Sequence, residues 1–202
     1  MNRVALIAAA LLLLLTSSSA FAKRKTLENV TLAYIPTTTL GDKEAVDLTG
    51  MLKTKIRLGE FADRRSEKKL IGENREKADK GKVLPVSTRD DVAAWIKARF
   101  SDELGRYGLS VVDSGGDVVL SGEVRRFFVT EDSTYGGDVG ILITLTDASG
   151  KELWQGMANG AATRWGRSYK LENYQEAWSD SLFEAIYSLM ENPEFRKALG
   201  GR

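Results

Sequence analysis

Residues 139–154, with the sequence VGILITLTDASGKELW, carry the clearest structural signal in the chain. Large apolar side chains recur at every second position from Val139 to Leu145, which is the period of a β-strand with one buried face. The next residues, Asp147 to Gly150, have the composition of a tight turn, and a second strand is predicted from Lys151 to Trp165. The stretch therefore predicts an antiparallel hairpin.

A third strand is predicted before this hairpin, from Val118 to Thr130. Its apolar residues predicted to share one face are Val118, Leu120, Val124 and Phe128. A polar, glycine-containing connection, residues 131–137, joins it to the hairpin, so the three strands are predicted to form an antiparallel meander. The last strand carries Gly156, Gly160 and several alanines, so we expect a helix to approach it closely.

Two amphipathic helices are predicted. The first spans Arg89 to Tyr107, with Thr88 as its N-cap and Gly108 as the left-handed residue that ends it. The second spans Tyr174 to Glu191 and begins with Asn173 as its N-cap. Because each helix has an apolar stripe, we expect both to pack on the same face of the sheet.

The N-terminal half predicts two further strands, Asn29 to Pro36 and Thr54 to Ala62. From Asp63 to Lys82 the chain is rich in charge and shows neither a helical nor a strand period, so it predicts a long surface loop, the most mobile internal stretch. The order of elements indicates one α+β domain over residues 23–202, with its core at about 29–199. We expect an antiparallel-dominated sheet with two amphipathic helices packed on one face.

The first 22 residues predict a cleavable secretory signal peptide. Arg3 gives a positive start, residues 4–15 form an unbroken apolar run, and Ala20-Phe21-Ala22 is a typical cleavage site. An uncleaved anchor is the alternative, but this run is too short to cross about 30 Å of hydrocarbon. The mature chain is therefore predicted to begin at Lys23 in the periplasm. With Lys rather than Cys there, no lipid attachment is expected, although basic residues 23–25 could touch an anionic membrane surface.

The full chain of 202 residues contains no histidine and no cysteine. Ser-His-Asp and Cys-His catalysis, thiolate chemistry and metal sites with His or Cys ligands are therefore excluded. The 29 basic and 28 acidic residues give a formal net charge of +1, so no overall field favours nucleic acid. We expect no catalytic residues, no metal and no cofactor, and the protein is not predicted to be an enzyme.

Several separate stretches match the pattern of a known family. They are Asp117 to Val124 followed by Phe127-Phe128, the hairpin Leu145 to Trp154, the helix entry Asn173-Tyr174, and Phe61 to Arg65 followed by Ile71-Gly72. In these stretches the chain resembles the YajG-type envelope lipoproteins, which are related to auxiliary lipoproteins of ABC-type envelope transporters. The resemblance spans most of the mature chain and implies a non-catalytic envelope component. The lipidated cysteine of the family is absent, so a non-lipidated, soluble periplasmic form is expected.

Two loops are candidate partner-binding sites, because loops carry function and because Trp and Arg are enriched where proteins bind each other. One loop follows the second predicted strand, where an Asp beside two arginines could bind an anionic group or could order the loop through an ion pair. The other is an aromatic, basic loop after the last strand. The candidate residues are Asp63, Arg64, Arg65, Arg164, Trp165, Arg167 and Tyr169.

These observations predict a non-enzymatic periplasmic envelope protein that acts as a binding or adaptor component. The alternative is a small-molecule or lipid carrier auxiliary to an envelope transporter, with the seam between helices and sheet opened as a pocket. The expected partner is an envelope protein or a lipid component rather than nucleic acid. The sequence leaves the oligomeric state open.

Overall fold

The computed structural model describes residues 26–200. The predicted signal peptide, residues 1–22, lies outside the described residues. Within residues 26–200 the chain forms one eight-stranded sheet and three α-helices. The strands are β1 (Leu27–Val30), β2 (Lys55–Asp63), β3 (Leu70–Lys77), β4 (Lys82–Thr88), β5 (Ser110–Val112), β6 (Val118–Glu131), β7 (Thr134–Asp147) and β8 (Glu152–Trp165). The helices are α1 (Val92–Arg106), α2 (Leu171–Glu191) and α3 (Pro193–Gly200).

Strand β6 organises the sheet, because both of its edges are paired. β7 runs antiparallel along one edge, from the pair Val118 and Asp147 to the pair Glu131 and Tyr135. Along the other edge β2 and β3 follow one another, both parallel to β6. β5 pairs with β2, β4 and then β1 extend the sheet from β3, and β8 pairs with β7. The predicted meander of β6, β7 and β8 is confirmed.

The sheet is mixed rather than dominated by antiparallel pairs. The pairings β1 with β4, β2 with β5, β2 with β6 and β3 with β6 are parallel, and the other three are antiparallel. Antiparallel pairs can join strands that are neighbours in sequence, whereas parallel pairs need long crossover connections, which a hairpin pattern does not reveal. The predicted α+β class is correct, and the predicted antiparallel dominance is only partly correct.

The predicted surface loop from Asp63 to Lys82 is wrong, because β3 occupies its centre. This strand pairs with β4 on one side and with β6 on the other. Ile71 and Asn74 within it are buried, with 0% and 5% of their surface exposed. A Cβ on Gly72 would lie 2.7 Å from the Val129 carbonyl oxygen, so the strand approaches β6 closely. The charged residues around β3 therefore give this internal strand the sequence pattern of a mobile surface loop.

Helix α1 forms where the apolar period predicts, but it begins at a different cap. The Asp91 carboxylate accepts a hydrogen bond from the Ala94 N–H at 3.0 Å, so Asp91 is the N-cap. Thr88, which was predicted as the cap, belongs to β4 and donates its hydroxyl to the Val30 carbonyl at 2.6 Å. Gly108 follows the helix with φ of +80°, as its predicted left-handed role requires.

Helix α2 begins earlier than predicted. Its first residue is Leu171 and Lys170 occupies the N-cap position, so Asn173 lies inside the first turn instead of capping it. The preceding residues Ser168 and Tyr169 have φ of +103° and +52°, which turns the chain sharply into the helix. The C-terminal end of α2 at Glu191 agrees with the prediction.

Residues 31–39 leave the sheet and form an extended strap between α1 and α2. The strand predicted from Asn29 to Pro36 is therefore mostly wrong, because β1 begins at Leu27 and ends at Val30. The Thr37 N–H donates to Asp180 Oδ1 of α2 at 2.6 Å. On the other side, the Tyr34 ring packs edge-on against Trp95 of α1, with 5.9 Å between ring centroids. The strap therefore joins the two helices.

Both helices pack on the same face of the sheet, as the apolar stripes predict. Phe127 of β6 lies between them, and its ring centroid is 5.6 Å from that of Trp95 and 5.8 Å from that of Trp178. Phe127 is 1% exposed, whereas Phe128 faces the opposite side. The prediction that Phe128 shares the core face was wrong, because a bulge shifts the register before it.

Helix α2 lies directly on the backbone of β7 and β8. A Cβ on Gly160 would lie 2.1 Å from the Ser181 carbonyl oxygen and 2.3 Å from the Ala185 nitrogen. A Cβ on Gly137 would lie 2.6 Å from the Ala177 carbonyl oxygen. Real Cβ atoms do not approach backbone this closely, so only glycine fits at these two positions. The expected close approach of a helix to the last strand is confirmed at Gly160.

We expect Gly160→Ala to destabilise the fold by about 2 kcal/mol, because the added methyl group meets helix backbone that cannot move without displacing α2. Gly136→Ala is the matched control on β7, since a Cβ there has no neighbour closer than 3.8 Å. Its free energy of unfolding should change by no more than about 0.5 kcal/mol. Urea denaturation followed by circular dichroism measures both, and equal losses would contradict this packing.

Candidate functional site

No other element of residues 26–200 covers the face of the sheet opposite the helices along β6, β7 and β8, and we call it the open face. Every second side chain of each strand lies there, and most of these side chains are half-buried or exposed. The open face comprises Ser121, Glu123, Arg126 and Phe128 of β6, Asp138, Gly140, Leu142 and Thr144 of β7, and Gln155, Met157, Asn159, Ala161, Thr163 and Trp165 of β8.

Arg126 lies flat across the centre of the open face. Its Nε donates to Asp138 Oδ2 at 2.8 Å and its Nη2 donates to Asn159 Oδ1 at 2.9 Å, so one side chain of β6 links β7 and β8. Gly140 makes room for it, because a Cβ there would lie 2.7 Å from the guanidinium carbon. The Arg126 side chain remains 46% exposed. The open face therefore presents a guanidinium group that is held in a fixed position and paired with a carboxylate.

Sequence reasoning missed this arrangement. The signal is the pair Arg125 and Arg126, which interrupts the alternation of β6. The register against β7 shifts between Val124 and Arg126, and both arginines are exposed as a result. The contacts with Asp138 and Asn159 could not be read from the sequence, because they depend on the pairing of three strands.

Trp165 and Arg164 point to opposite faces at the end of β8. Trp165 exposes 87% of its surface at the rim of the open face. Arg164 faces α2, where its Nε and Nη2 donate to Glu176 Oε2 at 3.0 and 2.7 Å and its Nη1 donates to Thr37 Oγ1 at 2.9 Å. Arg164 therefore fastens the strap to α2, and Trp165 is the residue that is free to contact a partner.

The turn after β8 is anchored through Tyr169 and leaves Arg167 outside. The Tyr169 hydroxyl donates to the Pro85 carbonyl at 2.6 Å and accepts from the Leu27 N–H at 3.2 Å, so it ties the turn to β4 and β1. Burial raises the pKa of the Tyr169 phenol above its ordinary value. The Arg167 side chain is 71% exposed, and its nearest carboxylate is Glu76 at 3.8 Å.

Asp63 and Arg65 form a largely buried ion pair, with side chains 12% and 7% exposed and 2.7 Å between the charged atoms. The Arg65 guanidinium fills the gap between β2 and β3 along the edge of β6, where its Nη1 donates to the carbonyls of Leu70 and Phe127, each at 3.2 Å. Arg65 therefore supplies a hydrogen bond to the backbone of β6 at a point where neither β2 nor β3 pairs with it. Arg64 points outward and its side chain is 58% exposed.

The protonation of Asp63 reflects this setting. Burial alone would raise the pKa of its carboxyl group, but the hydrogen bonds and the positive charge of Arg65 outweigh burial, so the pKa lies below its ordinary value of 3.8. A carboxyl group whose pKa is lowered by folding stabilises the folded state at pH values above its ordinary pKa. This stability is lost as the pH falls through the pKa of the folded state. The Asp63 and Arg65 pair thus stabilises the fold at neutral pH.

The two predicted loops do not form one surface. Asp63 lies beside Val124 of β6, whereas Arg164 pairs with Tyr135, whose other partner is Glu131. The span from residue 124 to residue 131 corresponds to about 20 Å along the strand. The candidates therefore divide by position. Those that hold the fold together are Asp63, Arg65, Arg164 and Tyr169, and those whose side chains stay exposed are Arg64, Trp165 and Arg167.

Two fully buried carboxylates, Glu103 and Glu131, are engaged in structural hydrogen bonds. Glu131 accepts from the Tyr174 hydroxyl at 2.9 Å, and Glu103 accepts from the Tyr34 hydroxyl of the strap at 2.8 Å. Burial first, and then the neighbouring carboxylate, raises the pKa of each phenol well above its ordinary value. Within residues 26–200, no three His, Cys, Asp or Glu side chains come together as metal ligands.

The seam between helices and sheet, where a carrier would hold its ligand, is filled. Trp95, Phe127 and Trp178 pack ring against ring there, and Tyr34 of the strap extends the same cluster. A cleft of about 370 Å³ lies instead between α1 and β5, beside Leu58. In the part of the chain that the structure describes, no helix is long and apolar enough to cross a membrane.

These features define a mixed α+β protein in which the described helices cover one face of the sheet. No family model and no curated protein matches the chain. Among solved structures, it is similar to a Xanthomonas campestris protein of the DUF330 family model, with 13% identity and a TM-score of 0.49 over 68% of this chain and 81% of that one.

Two further solved structures are similar. The PelC dodecamer from Paraburkholderia phytofirmans has 16% identity and a TM-score of 0.43 over 69% of this chain and 89% of that one. Lipoprotein GNA1162 from Neisseria meningitidis has 15% identity and a TM-score of 0.37 over 57% of this chain and 88% of that one. All three TM-scores are below 0.5.

We expect Arg65→Ala to destabilise the protein by about 3 kcal/mol or more, because Asp63 would be left buried without its partner and the Phe127 carbonyl would lose its donor. Arg64→Ala is the control. Its side chain is exposed, so the change should stay within about 0.5 kcal/mol. Thermal and urea denaturation measure both. If Arg65→Ala were as mild as the control, Arg65 would belong to the surface and the structural role given to it would be wrong.

Proposed function

We propose that this chain is a non-enzymatic periplasmic protein of the bacterial envelope, and that it works as a binding or adaptor component that docks a partner protein on its open face. The predicted signal peptide and the resemblance of its sequence to YajG-type envelope lipoproteins support the location. The observation that carries the proposal is the exposure of Trp165, 87% of its surface, at the rim of a sheet face that nothing in residues 26–200 covers.

Trp165 has the properties of a binding hot spot. Tryptophan offers a large apolar area and is enriched among the few residues that carry most of the energy of an interface. Met157, also on β8 and also on the open face, is 39% exposed. Ala161 and Thr163 lie between them with short side chains, so a partner can approach the sheet closely along this strand. Arg126, paired with Asp138, adds a guanidinium group held in position at the centre of the same face.

A binding role also fits the burial and the hydrogen bonds of the acidic residues. A catalytic carboxylate has to reach a substrate, usually in a cleft. Glu103 and Glu131 are fully buried, and each accepts hydrogen bonds from structural tyrosines. Asp63 is neutralised by Arg65 at the junction of β2 and β3. These carboxylates stabilise the fold, and we infer no reaction for them.

The carrier alternative would require the filled seam to open. A ligand there would have to displace Tyr34, whose hydroxyl is bonded to the buried Glu103 at 2.8 Å, together with the strap that Asp180 holds. Docking on the open face requires no such rearrangement. The observations therefore support the adaptor, and native mass spectrometry of protein isolated from the periplasm distinguishes the two functions by the presence or absence of a retained ligand.

We expect Trp165→Ala to abolish capture of the partner while it shifts the melting temperature by no more than a few degrees, because the ring has few contacts to lose. A photo-reactive amino acid placed at Met157 in living cells should cross-link one defined protein. Introducing Trp165→Ala into the same chain should remove that product. Leu52→Ala is the matched control, since Leu52 is an exposed apolar residue, 48% exposed, and belongs to none of the three strands that form the open face.

Cross-linking that survives Trp165→Ala, or that is lost equally with Leu52→Ala, would contradict docking on the open face. A large fall in the melting temperature of Trp165→Ala would place the ring in the core and have the same consequence. A retained lipid or small molecule together with no protein cross-link would favour the carrier.

A further inference from the structure

A small cleft lies at the end of the sheet where β3 leads into β4, beside the turn that follows β8. Its volume is about 180 Å³. Asn74, which lines it, pairs with Glu131, and the Glu131 carboxylate contacts Tyr174 of α2, so the cleft lies on the side of the sheet that carries the helices. We call it the end cleft, and its lining residues are Asn74, Glu76, Lys77, Lys82, Leu84, Ser168 and Tyr169.

Two of the lining residues are lysines. Lys77 of β3 and Lys82 of β4 are directly opposite partners in the antiparallel ladder. Like charges in this position destabilise a strand pair. Within residues 26–200 neither lysine has an ion-pair partner. An anion bound beside both ammonium groups would offset their repulsion.

Arg167 brings a third cation to the end cleft, and Glu76 brings a carboxylate. The Arg167 side chain is 71% exposed, and its Nε lies 3.8 Å from Glu76 Oε1. Glu76 opposes an anion, but the three cations outnumber it. The buried Glu131 nearby has both oxygens engaged, since they accept from the Tyr169 N–H and the Tyr174 hydroxyl, each at 2.9 Å.

Asn74 supplies an uncharged donor. Its side chain lines the end cleft although the residue is only 5% exposed. Its Oδ1 accepts a hydrogen bond from the Glu76 N–H at 3.2 Å, whereas its Nδ2 has no acceptor among the residues that the structure describes. Buried polar groups nearly always have a partner, because leaving one unpaired is costly. A ligand oxygen in the cleft would provide that partner.

We propose that the end cleft binds a phosphoryl group, either of free phosphate or of a lipid headgroup. A phosphoryl group has several acceptor oxygens and strong negative charge, so it can meet Lys77, Lys82 and the Asn74 Nδ2 together. A carboxylate has only two oxygens in one plane and a single charge, so it leaves one of these donors unused. The end cleft is on the opposite side of the sheet from the open face, so this site is independent of the proposed function.

Isothermal titration calorimetry of the protein isolated from the periplasm tests the proposal with inorganic phosphate, from about 0.1 to about 10 mM, the range suited to a small ion held by a few contacts. Chloride at the same ionic strength is the background. The double variant Lys77→Gln and Lys82→Gln should raise the dissociation constant by about tenfold or more. Lys53→Gln with Lys151→Gln is the matched control, because these two exposed lysines do not line the cleft, and it should change the constant by less than about twofold.

Asn74→Asp tests the uncharged donor. The change keeps an oxygen for the Glu76 N–H and replaces the Nδ2 donor with a second oxygen, so phosphate binding should be lost. Circular dichroism checks that this variant is folded. The lysine variant decides the matter if it is not, since Lys77 and Lys82 are exposed.

Vesicles distinguish the two sources of the phosphoryl group. Co-sedimentation is measured with phosphatidic acid in phosphatidylcholine and with oleate in phosphatidylcholine at equal surface charge. Binding to the first only, lost in the double variant of Lys77 and Lys82, assigns the group to a lipid headgroup. Binding of inorganic phosphate without vesicle binding assigns it to the free ion.

Three results overturn the proposal. The first is the absence of binding to both phosphate and phosphatidic acid. The second is binding that the Lys53 and Lys151 control weakens as much as the Lys77 and Lys82 variant does, since charge alone would then explain it. The third is equal binding to vesicles with oleate and with phosphatidic acid, since the site would then not select a phosphoryl group.

Discussion

The packing of α2 directly on the backbone of β7 and β8 governs the rest of the arrangement. Gly137 and Gly160 bring helix and sheet to backbone contact, because any larger residue would collide with the helix. Because α2 lies so close to the backbone of β7 and β8, its large side chains project sideways toward β6. Tyr174 and Trp178 fill that space, and Trp178 stacks on Phe127 with 5.8 Å between ring centroids. The strap then closes the gap that remains between α1 and α2.

With the helices on one face, no described element covers the other face of the sheet, so the strands there are held together in the plane. Backbone pairing does most of this, and Arg126 adds a side-chain link across three strands. The bulge before Arg126 couples the two faces. By inserting one residue it turns Phe127 into the core and Arg126 onto the open face. Core packing and the chemistry of the open face therefore depend on one local irregularity.

The sequence predicts elements well where neighbours in the chain are also neighbours in space. The hairpin of β7 and β8 and both long helices belong to this group, because alternation, turn residues and apolar stripes are local signals. β3 does not, since its partners β4 and β6 bury Ile71 and Asn74 among charged residues that suggest a loop. Thr88 is a plausible cap in the sequence, but its hydroxyl donates to the carbonyl of Val30, which lies on the paired strand β1 and is 58 residues away along the chain.

The residues of the candidate site also divide into those that the local sequence identifies and those that depend on contacts between distant parts of the chain. Trp165 could be found from residue type and position at the end of a strand. The burial of Arg65 could not, because it depends on a gap between β2 and β3 that exists only once both strands lie along β6. The position of Arg126 also required structure, since Gly140, Asp138 and Asn159 come to it from two other strands.

The salt bridge behind Trp165 bears on the docking role proposed for the exposed ring. A tryptophan buries about 150 to 250 Å² at an interface, which at about 25 cal/mol per Å² corresponds to about 4 to 6 kcal/mol. Little of this is recovered within the described chain, because Trp165 is 87% exposed. Its neighbour Arg164 is fixed on the opposite face by Glu176 and Thr37. Because alternate residues of a strand point to opposite faces, anchoring Arg164 also orients the backbone of Trp165. In the proposed function, a partner would therefore meet a side chain whose backbone is already ordered, and less of the binding energy would be lost to ordering it.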